Sequence, residues 1–356
     1  MKNKLNDIQN NYNTYSELNI HSHNEQKINL INKNVVPNLN KKQKIIVWDL
    51  FGGGQNSVFK ALNDNEKYDY EIYTFDVTEP TRQNHIWIDL SQKNITEIFQ
   101  KMIESGQIKK PDIIVSSTLC QSFSCVLNMK GGGTCFWKYN NDRTKLIFRP
   151  KDEFELLKSG FTKNLDADTQ LYIAKLGKKC VDNSIELIQN FKPKYWYIEN
   201  PKSSLIWKYI TLNRKDFYNP ENCFLNEASY GKYGFLTTKP TYFLSNVKME
   251  LLKGKIEPPY TIEEIDGVKY YVLKDDPNTK VPKSLDSRMI GISSINKMIK
   301  ARNVKSGMGG LDFVMKQSKS KISQKDKKTP IQLSEAGPAS HIPSKLIQDI
   351  FKEFKI

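Results

Sequence analysis

For the first 43 residues polar and asparagine-rich positions dominate, with little apolar periodicity, so this stretch reads as a disordered or loosely attached arm. From Lys44 the pattern changes. IIVWDL is an apolar run of strand length that passes into GGGQNS and then VFKAL, which predicts a strand, a glycine-rich turn and a helix starting near Asn56. A second strand over 70–75 ends in Asp76, a third (HIWIDL) ends at Asp89, and helical spacing covers 95–105. Residues 112–115 are a short buried strand that gives way to LCQSFSC. Apolar positions recur at helical spacing over 169–191 and stop before Pro193, after which 195–198 form a strand delivering Glu199 at its carboxyl end. Residues 226–246 predict a β-hairpin with Gly231 and Gly234 in its turn. The alternation β-α-β-β-α-β defines the fold class as α/β, a doubly wound and mostly parallel sheet.

In such open sheets, ligands and chemistry gather outside the carboxyl ends of the strands. Asp76, closing the second strand, stands where a nucleotide's ribose hydroxyls would be met, and Asp89 where an adenine amino group would be; the plain alternative for Asp76 is a loop cap. Cys120 follows directly where strand gives way to loop, the position of a nucleophile, although a free cysteine is more often buried and inert. Glu199 has a helix-capping or salt-bridged alternative. Gly52, Gly53 and Gly54 permit close backbone approach and positive φ. Their spacing is not GxGxxG, since Ser57 takes the last position, and not the phosphate-cradling GxxxxGK[ST].

Composition narrows the classes. The 356 residues suit one large domain or two, and Lys+Arg 54 against Asp+Glu 39 gives net +15. That excess suits a polyanionic partner, and a generally lysine-rich composition would produce it equally well. Five cysteines without CxxC or zinc spacing argue against a disulfide framework and for a reducing compartment. His21 and His23 lack a third ligand nearby, so no metal is expected. With no apolar h-region and no bilayer-length run, the expectation is a soluble cytoplasmic protein with no membrane partner.

The order Asp49-Leu-Phe-Gly-Gly-Gly54, an Asp closing the second strand, Leu119-Cys-Gln-Ser-Phe-Ser124 and Glu199-Asn-Pro201 resembles the DNA cytosine-5 methyltransferase family, and PKYWYIENP its compact phage and mycoplasma-type branch. The resemblance covers about 44–246 and the last twenty residues. It implies a Rossmann-like catalytic domain over 44–246, a smaller, loop-rich target-recognition region over 247–329, and a C-terminal helix within 330–356 returning to the glycine turn. It implies S-adenosylmethionine as cofactor, held by Phe51, Gly52, Gly53, Gly54, Asp76, Asp89 and Leu119. Cys120 becomes the nucleophile that adds to cytosine C6, Glu199 the acid that hydrogen-bonds the base, and Lys239 an electrostatic stabiliser. Gln121, Ser122, Asn200 and Thr241 would contact the substrate, a cytosine flipped out of double-stranded DNA. A cysteine loop closing over that base would fall within 126–168, hinged at 131–133, though a plain surface insertion fits as well. The expected assembly is a monomer, with a cognate restriction endonuclease as a further partner.

Two departures stand out. Leu119 replaces the family's proline before the cysteine, and Thr237-Thr-Lys-Pro-Thr241 stands where QxRxR would be, so Lys239 is the cation available there. They open the alternative of a silent DNA-binding relative. An RNA cytosine-5 methyltransferase is a further alternative, because the same chemistry serves RNA. An amino-methyltransferase would need an Asp/Asn/Ser-Pro-Pro-aromatic loop in place of LCQSFS. An NAD-type oxidoreductase is supported by the glycine turn and Asp76 alone.

Overall fold

The structure, a computed structural model, describes residues 44–53, 56–63, 65–78, 80–124, 133–156, 166–235, 238–257, 260–282 and 341–355. The polar arm, Gly54, Thr237, the expected hinge at 131–132 and most of the expected target-recognition region lie outside these residues.

Seven strands form one mixed, mostly parallel sheet in the order β3-β2-β1-β4-β7-β9-β8. They are β1 (Lys44–Leu50), β2 (Asp69–Asp76), β3 (His85–Trp87), β4 (Ile113–Ser116), β7 (Tyr195–Pro201), β8 (Phe224–Ser229) and β9 (Pro240–Ser245). β1 pairs in parallel with β2 and β4, β4 with β7, and β2 with β3; β9 runs antiparallel between β7 and β8. This is the doubly wound, Rossmann-like α/β arrangement that the sequence predicts, with the predicted hairpin appended at one edge. The inner strands are apolar almost throughout, as strands covered on both faces must be.

The helices are α1 (Ser57–Leu62), α2 (Ile95–Glu104), α3 (Lys151–Leu156), α4 (Ala167–Phe191), α5 (Ile206–Asn213) and α6 (Ser344–Glu353). α4 begins two residues before the predicted start because Asp166 caps it, its side chain accepting from Thr169 N–H at 2.7 Å. It stops at Lys192, which adopts φ 47°, ahead of Pro193. Alternation along β1 sends Trp48 and Leu50 to one face, where Trp48 meets Phe75, Phe99 and Phe191 at ring-centroid distances of 5.7, 4.9 and 4.9 Å. Each such fully buried ring stabilises the fold by roughly 1.5–3 kcal/mol. The opposite face buries Val47, Ile72 and Val115 beneath α1 and α6. There Ile342 N–H donates to Ser57 Oγ (3.2 Å) and Gln348 Nε2 to the Ala61 carbonyl (3.0 Å), which fastens the C-terminal segment to the helix that follows the glycine turn.

Two regions differ from the sequence expectation. The stretch from 247 is not wholly loop: β10 (Tyr260–Ile265), β11 (Val268–Leu273) and β12 (Asp276–Pro282) form a three-stranded antiparallel sheet. Asp266 and Gly267, both at positive φ (51° and 72°), make the first turn, and this Asp-Gly pair between alternating strands is the signal that was available. The described part of 126–168 holds a small hairpin, β5 (Trp137–Tyr139) with β6 (Leu146–Phe148), and it carries core residues: Cys135, Phe136 and Trp137 are buried. Among the described residues no helix is long and apolar enough to cross a membrane.

Candidate active site

The carboxyl ends of the parallel strands bring most of the predicted residues to one edge. At the end of β1, Phe51 takes φ 64° and its N–H donates to the Phe75 carbonyl at 2.9 Å, which bends the chain into the glycine turn. Only glycine fits at 52, since a Cβ there would lie 2.2 Å from Asp49 Oδ2 and 2.7 Å from the Thr74 methyl. Gly53 has φ 51° and faces the Asp76 carboxylate. Asp76 accepts from Thr78 N–H at 3.0 Å; burial raises its pKa, and hydrogen bonds from Thr78, the nearby His85 and the Gly53 N–H oppose that rise. Asp89 accepts from Ser91 N–H at 2.8 Å. Glycine turn, Asp76 and Asp89 thus lie at the ends of three adjacent strands, the layout a nucleoside cofactor requires.

Asp49, which the sequence left as a motif position without a role, is 2 % exposed. Burial pushes its carboxyl up to about 7 against the pull of Arg82, with Asp76 adding to the rise. Its Oδ2 finds no hydrogen-bond partner. In register with it across the sheet stand Thr74, Val115 and Tyr197.

At the end of β4 the chain runs through buried Thr118 and half-buried Leu119 to Cys120, the exposed one of the four described cysteines. Cys120 opens a 3-10 turn over Gln121–Phe123. Without a proline at 119, the loop is fixed from outside. Asn200 Nδ2 donates to the Thr118 carbonyl at 3.0 Å, Leu205 N–H donates to the Phe123 carbonyl at 2.9 Å, and Phe123 stacks on Trp137 at 5.0 Å. The β5 segment therefore anchors the cysteine turn. Ser122 and Asn200, expected on the substrate, are turned inward. Ser122 is buried against α4, where a Cβ on Gly177 would fall 1.9 Å from its Oγ, and Asn200 holds the cysteine loop while its Oδ1 finds no partner. Gln121 is half-buried beside the thiol.

At the end of β7, Glu199 is buried and accepts from the Tyr230 hydroxyl at 2.9 Å. Burial raises its pKa, while Lys239 and hydrogen bonds from Tyr230 and Ser117 pull the other way. Burial lowers the Lys239 pKa, and the charges of Glu199 and Cys120 resist that. Thiol, carboxylate and ammonium therefore share one electrostatic neighbourhood, assembled from β4, β7 and the entry to β9. Thr241 is buried, and its hydroxyl donates to the Lys239 carbonyl at 3.2 Å, so it supports the lysine from within the protein. Ser117, Tyr230 and Gly177 were missed; nothing local in the sequence marks them, because each acts through a residue distant in the chain. No group of three or more His, Cys, Asp or Glu side chains able to hold a metal ion occurs among the described residues.

Fold and site together define a Rossmann-like α/β protein with a nucleoside-type strand edge and a thiol–carboxyl–ammonium cluster beside it. No protein-family model matches the chain, and no curated protein matches it. Among solved structures, the chain is similar to the Entamoeba histolytica methyltransferase EhMeth, with a TM-score of 0.32 and 16% identity, over 61% of this chain. The match spans 58% of that protein's length.

Proposed function

We propose that the chain is an S-adenosylmethionine-dependent cytosine-5 methyltransferase acting on double-stranded DNA. The observation that carries this reading is the exposed Cys120 at the end of a central parallel strand, with buried Glu199 and half-buried Lys239 in the same electrostatic neighbourhood. Cytosine C5 is a weak nucleophile, and addition of a thiolate at C6 makes it an enamine able to attack an electrophilic carbon. Cys120 supplies that thiolate, and Lys239 favours it by charge. Glu199, whose burial favours the protonated form, shares a proton with N3 and orients the exocyclic amine of a base turned out of its stack.

The residues fit the cofactor. Gly52 and Gly53 leave the first turn bare of side chains, while Asp76 and Asp89 stand at the next two strand ends to accept from ribose hydroxyls and an adenine amino group. When bound, S-adenosylmethionine would supply an activated methyl group. Phe51, Leu119 and Gln121, each half-buried at a strand end, would lie between cofactor and base. The net charge of +15 supports a polyanionic substrate.

The test is transfer of labelled methyl from S-adenosylmethionine to duplex DNA of varied sequence and to RNA, with nucleoside analysis of the product. The expected result is label in 5-methylcytosine of DNA, abolished in Cys120→Ala. Label confined to RNA would move the substrate class. Binding of cofactor and DNA with no label would mean a silent relative.

A further inference from the structure

Tyr230 touches both charged partners of the candidate site. It opens the 3-10 turn Tyr230–Tyr233 between β8 and β9 and is fully buried. Its hydroxyl donates to Glu199 Oε1 at 2.9 Å, and the face of the same ring carries the Lys239 ammonium, whose Nζ lies 4.2 Å from the centroid. Phe235 meets Tyr230 edge-on at 5.8 Å and stands 5.7 Å from the same ammonium, so the cation has two aromatic walls. The backbone fixes this arrangement. Tyr230 N–H donates to the Lys239 carbonyl (3.3 Å), Gly231 N–H to the Thr238 carbonyl (3.2 Å) and Phe235 N–H to the Tyr230 carbonyl (3.1 Å). Lys239 is held at φ 33°, a region that side-chain-bearing residues seldom enter.

The physical reason for such a seat lies in the cation. A guanidinium carries its donors in a rigid planar fork and orients itself against a carboxylate, whereas an ammonium is a point charge on a flexible stem. A lysine beside a buried acid therefore needs its position imposed. A tyrosine can impose it on both partners at once, through an O–H donor for the acid and a negative ring face for the cation.

We propose that Tyr230 is a positioning residue of this site, setting Glu199 through its hydroxyl and Lys239 through its ring, with Phe235 as the second wall of the lysine's seat. The proposal rests on the methyltransferase reading for what the site does, but the seat can be tested without that activity.

Three variants separate the two contacts: Tyr230→Phe, Tyr230→Leu and Phe235→Leu. One readout is the pH profile of methyl transfer, split into kcat and KM. The other is the rate of Cys120 alkylation by iodoacetamide against pH, followed on the Cys120 peptide by mass spectrometry, with neither cofactor nor nucleic acid present. Tyr230→Phe keeps the ring and loses the hydroxyl. Its kcat is expected to fall on the order of tenfold, as for loss of one hydrogen bond to a charged group. The limb of its pH profile set by Glu199 should move upward, while the alkylation profile stays in place. Tyr230→Leu and Phe235→Leu loosen the ammonium, so their alkylation profiles should move to higher pH; Phe235→Leu serves alone if Tyr230→Leu does not fold. An unchanged methyl-transfer profile in Tyr230→Phe, or unmoved alkylation profiles in the leucine variants, would overturn the proposal. If the wild-type protein methylates no nucleic acid, the functional reading fails, and the alkylation profiles still decide whether the aromatic pair holds Lys239.

Discussion

Asp49 and Glu199 are both acids at the ends of parallel strands, both buried, and both shifted upward by that burial. Tyr197 lies between them and feels both charges. Their surroundings differ. Asp49 is walled in by the glycine turn and Thr74, one of its oxygens has no partner, and the nearby Arg82 donates to the Ile72 and Gln83 carbonyls, to Thr74 and to Asn56. Glu199 is met by two hydroxyls and an ammonium, with an exposed thiol in the same neighbourhood. Burial alone therefore does not mark a working acid. On the proposed reading, Asp49 is a strut beneath the glycine turn and Glu199 the group that exchanges a proton with a ligand.

The contrast breaks most visibly in rate. Glu199→Gln should cut single-turnover methyl transfer by about 10²–10⁴, the usual contribution of a positioned acid or base. Asp49→Asn should cost far less on the same DNA; an equal loss would erase the distinction between strut and working group.

A second effect appears in stability against pH. With the Asp49 pKa pushed up to about 7, the folded protein keeps a proton that the unfolded chain releases near pH 4. Stability contributed by this group is therefore present at low pH, falls as pH rises from about 4 to 7, and is flat above that. The total is at most about 4 kcal/mol, from a three-unit shift at roughly 1.4 kcal/mol per unit. Urea midpoints at pH 5 and pH 8 should differ less in Asp49→Asn than in the wild type. An identical difference in both proteins would show that Asp49 does not titrate in this range.

The smallest expected effect sharpens how the cysteine side is held. Gly177→Ala would drive a Cβ to within 1.9 Å of Ser122 Oγ, so the cysteine turn must shift. The overpacking should cost about 1–3 kcal/mol, partly offset by about 1 kcal/mol of better helix propensity. Cys120 alkylation should change with it, and Ser122→Gly in the same chain should restore both. Failure of that second change to rescue would mean the strain lies elsewhere.

Much of the frame was legible beforehand. Strands β1, β2, β4 and β7, the long α4 and the hairpin β8–β9 follow from apolar runs, helical spacing, Pro193 and the glycines at 231 and 234, although β7 runs on past the expected end at 198 to Pro201 through its pairing with β9. The strand-end positions of Asp76, Asp89, Cys120 and Glu199 were legible for the same reason. The β10–β12 sheet was hidden because β10 is exposed and largely polar and so looks like loop, although Tyr271, Val272 and Leu273 of β11 are buried. The inward turn of Ser122 and Asn200 was not legible because a motif names a residue without saying which way its side chain points.

What the sequence determined by itself is local: which stretches become strand or helix, and which side chains end up where a strand stops. Those outcomes depend on neighbours within a few positions. The tertiary structure decided the rest. It brought Tyr230 to Glu199, set Gly177 under Ser122, seated Phe123 on Trp137, and surrounded Asp49 so fully that its carboxyl titrates near neutrality. These are meetings of residues far apart in the chain, and the strength of each depends on how much water the fold excludes around it.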